Sequence, residues 1–184
     1  MRLVFDIEAN GLLHDTEEFP AATTMHCIVT KDVDNGAMYK FYGDTTVPSD
    51  HGSIAAGINY LQQAEELIGH NIIGYDVPLI KKLFDVQLKT HMVDTLVLSK
   101  VLNSDRLLPK GCPGSIDNPI TGKSDRIGPH SLASWGYRVG RFKPEFHAWD
   151  KFTMEMLHRC SEDVEINLLV YYELLKELAE IIPS

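Results

Sequence analysis

The apolar positions of the chain switch between two periods, and the switches mark out its elements. Residues 2–9 carry the short, partly β-branched run Leu3-Val4-Phe5 and continue through Ile7 to Ala9, which predicts a strand buried on both faces. Segments 24–30 and 37–42 read as two further strands, and Asp34-Asn35-Gly36 between them supplies the residues of a hairpin turn. The first three strands should then form an antiparallel meander. From residue 53 the period lengthens to that of a helix, with Ile54, Ile58, Leu61 and Ala64 on one face up to Glu66. A short strand over 67–71 leads into a helix over 76–86, where Pro78 sits in the first turn and its missing N–H costs nothing. A brief strand over 91–94 and a helix over 95–102 follow. Between 104 and 129 no period emerges and Gly, Pro, Ser and Asp dominate; a connection that long is expected to be functional or mobile. Helices over 131–137 and from about 150 to 182 close the chain. This order predicts one α/β domain over 1–184, with a mixed sheet, antiparallel in its first three strands and parallel afterwards, and helices on both faces.

Polar residues interrupt this pattern at telling places. Asp6 and Glu8 lie two apart in Phe5-Asp6-Ile7-Glu8-Ala9, so a strand directs both to the same side. Two carboxylates on a core strand cannot both ionise cheaply without a cation, and a divalent metal removes that cost. The plainer alternative is a strand that has reached solvent, with Asn10-Gly11 as its turn. Asp76, read singly, is the N-cap of its helix, and Asp163 a solvated acid on a charged helix face. Asp94 before Thr95 reads as an N-cap and nothing more.

Composition narrows the classes. With 184 residues, 44% apolar and 23% charged, the chain suits one soluble domain with a substantial core. No stretch approaches the roughly 20 apolar residues of a membrane span, and one Arg followed by a strand does not resemble a signal peptide. The expected location is cytoplasmic, in the host if the chain is phage-encoded. Cys27, Cys112 and Cys160 are odd in number and far apart, which argues against a disulfide framework or a zinc knuckle. A net charge of −9 and a pI near 5.3 disfavour a protein that coats duplex DNA through a basic face, though not one that grips a strand end. The charge is uneven. Asp15, Glu17 and Glu18 cluster early, acids load the last helix, and Arg106, Lys110, Lys123 and Arg126 place positive charge in the long connection, either as a solvated loop or as phosphate contacts.

Taken together, the acids have a familiar order. Asp6-Ile7-Glu8, then Asn71 with Tyr75-Asp76, then Asp163 on the last helix resemble the three motifs of the DEDD (DnaQ-like) 3′–5′ exonucleases. Pro129-His130-Ser131-Leu132-Ala133-Ser134-Trp135-Gly136-Tyr137-Arg138-Val139-Gly140 and Asp94-Thr95-Leu96-Val97-Leu98-Ser99 resemble segments of the proofreading domains of family A DNA polymerases from short-tailed phages. One position departs from that group. Four residues before Asp163, where it carries Tyr, stands Arg159, while His158 lies five before, the spacing of the superfamily's His-type branch.

The resemblance implies a ribonuclease H-like fold and a metal-dependent 3′–5′ exonuclease acting on single-stranded or frayed DNA, with a polymerase module in the same or another chain and no membrane. It implies that Asp6, Glu8, Asp76 and Asp163 hold two divalent ions, Mg²⁺ or Mn²⁺, to which hard oxygen ligands are suited. It implies that His158 is the base, since an imidazole titrates near neutrality and the guanidinium of Arg159 stays protonated. Leu12, Leu13, Asn71 and Tyr75 are expected to contact the terminal nucleotide. Two rival readings stay open at this point: a 3′ exoribonuclease of the same superfamily, and a catalytically silent module that binds nucleic acid or docks a polymerase.

Overall fold

A computed structural model of the chain describes residues 1–17, 20–43, 52–117 and 124–182. The elements run β1 (Arg2–Ala9), β2 (Met25–Asp32), β3 (Met38–Tyr42), α1 (Ile54–Leu61), β4 (Glu66–Gly69), α2 (Asp76–Phe84), β5 (His91–Asp94), α3 (Thr95–Leu102), β6 (Ser115–Asp117), β7 (Ser124–Arg126), α4 (Leu132–Val139) and α5 (Met154–Ile181). Five strands form a sheet in the order β3-β2-β1-β4-β5. β1 pairs antiparallel with β2, and β2 with β3, as the meander requires; β4 and β5 then join parallel on the other side of β1. The expected mixed α/β sheet, of the ribonuclease H-like kind, is present. No helix among the described residues is long and apolar enough to cross a membrane.

The two-residue period of β1 sorts its side chains between two cores. Leu3, Phe5, Ile7 and Ala9 pack with Ile58 and Leu61 of α1 and Leu79 and Ile80 of α2. Val4 faces the other way and packs with Leu157, Cys160 and Val164 of α5. Burying a large apolar side chain of this kind contributes roughly 1.5–3 kcal/mol, so the register of β1 is fixed by both layers at once. Asp6 and Glu8 share the parity of Val4 and are thereby carried to the α5 side.

α5 is the hub of that side. One of its faces lies on the sheet, while Ile166, Val170 and Leu174 meet Leu132 and Trp135 of α4, with Leu98 and Leu102 of α3 alongside. Trp135 is fully enclosed. Its indole N–H donates to Ser99 Oγ at 3.1 Å, and the guanidinium groups of Arg106 and Arg138 lie 4.6 and 4.9 Å from its ring centre.

Several expectations needed correction: the strand expected over 67–71 ends at Gly69, and the last helix, expected from about 150, starts at Met154. The helix read over 53–66 ends at Leu61, because the amides of Gln63 and Ala64 tighten onto Tyr60 and Leu61 and Glu65 turns back to bond Met1, freeing Glu66 to open β4. α2 stops at Phe84 rather than at 86, where Asp85 takes a left-handed φ of 55°. The connection over 104–129 is not structureless: β6 and β7 form a small antiparallel hairpin, with strands too short to display a two-residue period. Residues 118–123, which include Lys123, and Glu18 of the early acidic cluster lie outside the described residues.

Candidate active site

The register that sends Asp6 and Glu8 toward α5 brings them to Asp163. One carboxylate oxygen from each of these three residues lies within 4.8 Å of the others. Asp163 is on the sheet-facing side of α5 and is almost fully buried. Asp76 joins from the first residue of α2, where the parallel strand β4 turns into the helix. It is 3% exposed and close enough to Asp6 and Glu8 for both charges to act on it. Its single-residue reading as an N-cap does not hold, since Tyr75 occupies that position and caps without a side-chain bond.

Asp94 explains how Asp76 is held. Its carboxylate accepts from Leu96 N and Val97 N, as expected of an N-cap on α3. It also accepts from Asn71 N and Ile73 N, both at 3.0 Å, which ties the β4–α2 turn to β5. Asn71 sits in that turn at a φ of 67°, a conformation Asn tolerates better than most residues. The cap reading was right but too modest, because a sequence does not show which distant amides a capping carboxylate can reach.

Crowding and burial leave the site short of positive charge. Burial, followed by the Asp163 charge, pushes the Asp6 carboxyl up to about 7. Burial and then the Asp6 charge push Glu8 up to about 8, and the same two causes raise Asp76 well above the carboxylate range. The one close ion pair within the cluster joins Lys143 Nζ to Asp163 Oδ2, and Arg159 Nε lies 3.5 Å from Glu8 Oε1. Oδ1 of Asp76 and Oδ1 of Asp163 are buried with no hydrogen-bond partner. Two orphaned carboxylate oxygens among four neighbouring acids are what hard divalent cations seek, so the donor set fits Mg²⁺ or Mn²⁺.

The expected residues do not all gather here. His158 is exposed and stands one turn from Glu162, whose carboxyl is lowered chiefly by its hydrogen bond from Arg141. The reason is helical: α5 already starts at Met154, so a residue five before Asp163 points about 140° away, whereas one four before lies within about 40°. The structure therefore brings Arg159, not His158, to the carboxylates. Tyr75 donates its hydroxyl to Gly11 O at 2.6 Å, and Lys82 bonds Leu13 O at 2.8 Å, fastening the 11–13 segment over α2. Gly11 is required there, because a Cβ would come 2.5 Å from Pro20 O. Leu12 is 41% exposed beside the site, and Leu13 packs on the α1–α2 core. Burial, with Asp76, Glu8 and Asp6 nearby, raises the Tyr75 phenol and keeps it a donor.

Of the basic residues in the long connection, Arg106 is committed to a two-pronged bond with Glu177 at 2.9 and 2.5 Å, and Lys110 is exposed. Only Arg126 among those described lines a cleft near the site. Lys143 was missed altogether. It lies in a stretch between α4 and α5 that has no period, and its one signal was a lysine embedded among aromatic residues.

Comparison with known proteins bears on the fold. Over 95% of its length the chain is 29% identical to the DNA-directed DNA polymerase of Enterobacteria phage T3 and 30% identical to that of Escherichia phage T7, in each case spanning 27% of the polymerase. No protein-family model matches it. Among solved structures, Brucella melitensis NrnC with bound Mg²⁺ superposes with a TM-score of 0.60 at 13% identity, over 97% of this chain and 74% of that one. Escherichia coli RNase D, an exoribonuclease, gives 0.57 at 13% identity over 97% and 40%. Exonuclease X in complex with 5′ overhanging duplex DNA gives 0.50 at 14% identity over 96% and 92%. The chain thus has the DnaQ-like, DEDD exonuclease fold and is homologous to about a quarter of the phage polymerases.

Proposed function

We propose that this chain, a DEDD-fold relative of phage DNA polymerases, is a metal-dependent 3′–5′ exonuclease. It hydrolyses the last phosphodiester bond of single-stranded or frayed DNA and releases 5′-mononucleotides. The observation that carries this reading is the convergence of Asp6, Glu8 and Asp163, with Asp76 beside them and two buried carboxylate oxygens unpartnered. Asp6, Glu8 and Asp163 would hold one divalent ion, and Asp6 with Asp76 a second. Bound there, such ions supply a hydroxide nucleophile at neutral pH and neutralise charge on the leaving oxygen.

The protein's own groups then have defined tasks. Lys143 and Arg159 put two positive charges at the edge of the cluster, where a phosphodiester must sit. Leu12 offers an apolar surface to the terminal base, and the Tyr75–Gly11 bond holds that wall in place. By the same kinship we assign a proofreading role, on ends delivered by a polymerase module in the same or another chain. End-labelled oligonucleotides test the direction. The expected result with Mg²⁺ is stepwise shortening from the 3′ end, faster on single strands and mismatched ends than on paired duplex, because a terminal nucleotide must be unpaired to enter the site. Shortening from the 5′ end defeats the proposal, and equal digestion of a matched RNA strand moves the assignment to an exoribonuclease.

His158 has no part in this scheme, and Arg159 cannot accept a proton. His158→Ala is accordingly expected to keep its turnover within about threefold, well short of the 10²-fold or more that loss of a general base brings. Arg159→Ala is expected to weaken substrate use about tenfold, the scale of one hydrogen bond to a charged group. Steady-state rates at saturating Mn²⁺ decide this. A loss of 10²-fold in His158→Ala would reinstate the imidazole.

A further inference from the structure

A cleft of about 570 Å³ opens between the β6–β7 hairpin, α4 and the segment leading into α5. Lys143 and Arg159, the two cations that touch Asp163 and Glu8, also line it, so the cleft and the carboxylate cluster adjoin through these two side chains. Two aromatic pairs form its sides. Tyr137 and Phe142 meet edge to face at 4.9 Å, as do Phe146 and Trp149. Phe142 is 60% exposed, a solvation cost that packing within the domain does not explain. Trp149 is held from two directions: its carbonyl oxygen lies 2.9 Å from His26 Nε2, and the Arg159 guanidinium stacks 5.2 Å above its ring.

The charge of the cleft runs against that of the molecule. Among the described residues, Arg126, Lys143 and Arg159 line it with one carboxylate, Glu145, in a chain whose net charge is −9. One exposed ring, Phe142, and the half-buried Trp149, interleaved with cations, suit a polymer that presents flat bases and phosphates in alternation, and stacking of this kind tolerates any base. An apolar peptide or small molecule would leave the cations unanswered.

We propose that this cleft is the approach groove for a single-stranded polynucleotide. Bases upstream of the scissile bond stack on Phe142 and Trp149, and Arg126 holds a phosphate. The inference rests on the exonuclease reading for its direction, but its test does not depend on hydrolysis.

With Trp135 only 2% exposed, Trp149 is the tryptophan that a ligand in the cleft can reach. Titration of the full chain in EDTA with a deoxythymidine 12-mer and, separately, a uridine 12-mer is expected to quench tryptophan fluorescence, and Trp149→Phe to abolish that signal. By competition or anisotropy, Phe142→Ala should bind roughly five- to a hundredfold more weakly, the range for losing one base–aromatic stack. Arg126→Ala should lower the slope of log affinity against log salt by about 0.7, one phosphate contact on a single strand. Both side chains are exposed, so neither variant threatens the fold. Absence of quenching by either strand, or wild-type affinity in both variants, overturns the groove. Hydrolysis of the p-nitrophenyl ester of thymidine 5′-phosphate by the unaltered protein with Mn²⁺ reports on the carboxylate centre alone; its absence counts against the exonuclease reading and leaves the fluorescence result to judge the groove.

Discussion

Asp6→Ala and Asp163→Ala are each expected to lose at least about 10³-fold in turnover with Mg²⁺, while the domain stays folded. Several kcal/mol of transition-state charge stabilisation is the usual share of bound metal, and about 1.4 kcal/mol is a factor of ten in rate. Both residues supply oxygens to the one three-carboxylate cluster found among the described residues, so neither has a neighbour able to take its place. Their effects on stability should differ. Removing Asp6 relieves repulsion felt by Glu8 and Asp76 and should raise the melting temperature of the metal-free protein. Removing Asp163 takes the partner from Lys143, whose side chain is 26% exposed and can turn to Asp6, Glu8 or solvent, so the melting temperature should hardly move. Turnover above a tenth of wild type in either variant, with the fold intact, defeats the ligand assignment.

How much of this was legible in the sequence varies with how local the cause is. The strand β1 and the pairing of its two acids follow from a two-residue period that no distant contact can change, and both Asp6 and Glu8 stand where that period sends them. Asp76 and Asp163 carry no such signal alone. Each has a bland local reading, and only their order along the chain pointed to one site. His158 shows the limit of a motif's spacing taken without its geometry: the helix expected from about 150 already covers it, and five residues on a helix turn its side chain about 140° from Asp163. Lys143, Phe142, Phe146 and Trp149 were illegible as a group, because the chain between α4 and α5 has no period and its residues are assembled by tertiary packing against β7, α4 and α5. The second task of Asp94 was hidden for the same reason, since its partners lie more than twenty residues away.

The metal-free protein is expected to lose stability between pH 6.5 and 8, and divalent metal to return it. Asp6 and Glu8 have folded-state values near 7 and 8 against ordinary values of 3.8 and 4.5, and Asp76 is raised as well. Between the unfolded and folded values the native state binds more protons than the unfolded one, so stability falls as pH rises through that interval. Two histidines oppose this, since burial lowers His130 as well as His70. Burial lowers His70 to about 4 from 6.5, so the unfolded state binds the extra proton between those values and stability rises with pH there. The unfolded imidazoles are half titrated at 6.5, so their opposing contribution fades over about the next pH unit and the carboxylates dominate toward pH 8. Lys143 and Arg159 soften the repulsion without cancelling it, as both carboxyls remain raised with these cations present. Metal binds the ionised acids and displaces their protons, so its stabilisation should grow with pH. At 100 times its dissociation constant a ligand adds about 2.7 kcal/mol, which for a domain of this size is roughly 5–10 °C. Melting curves in EDTA and in excess Mn²⁺ at pH 5.5, 6.5 and 8 are the measurement. The expected pattern is a falling EDTA melting temperature from pH 6.5 to 8 and a Mn²⁺ increment largest at pH 8. An EDTA melting temperature that climbs across that interval, or an increment equal at pH 5.5 and 8, would show that these carboxylates are not held protonated by one another and do not form a common metal site.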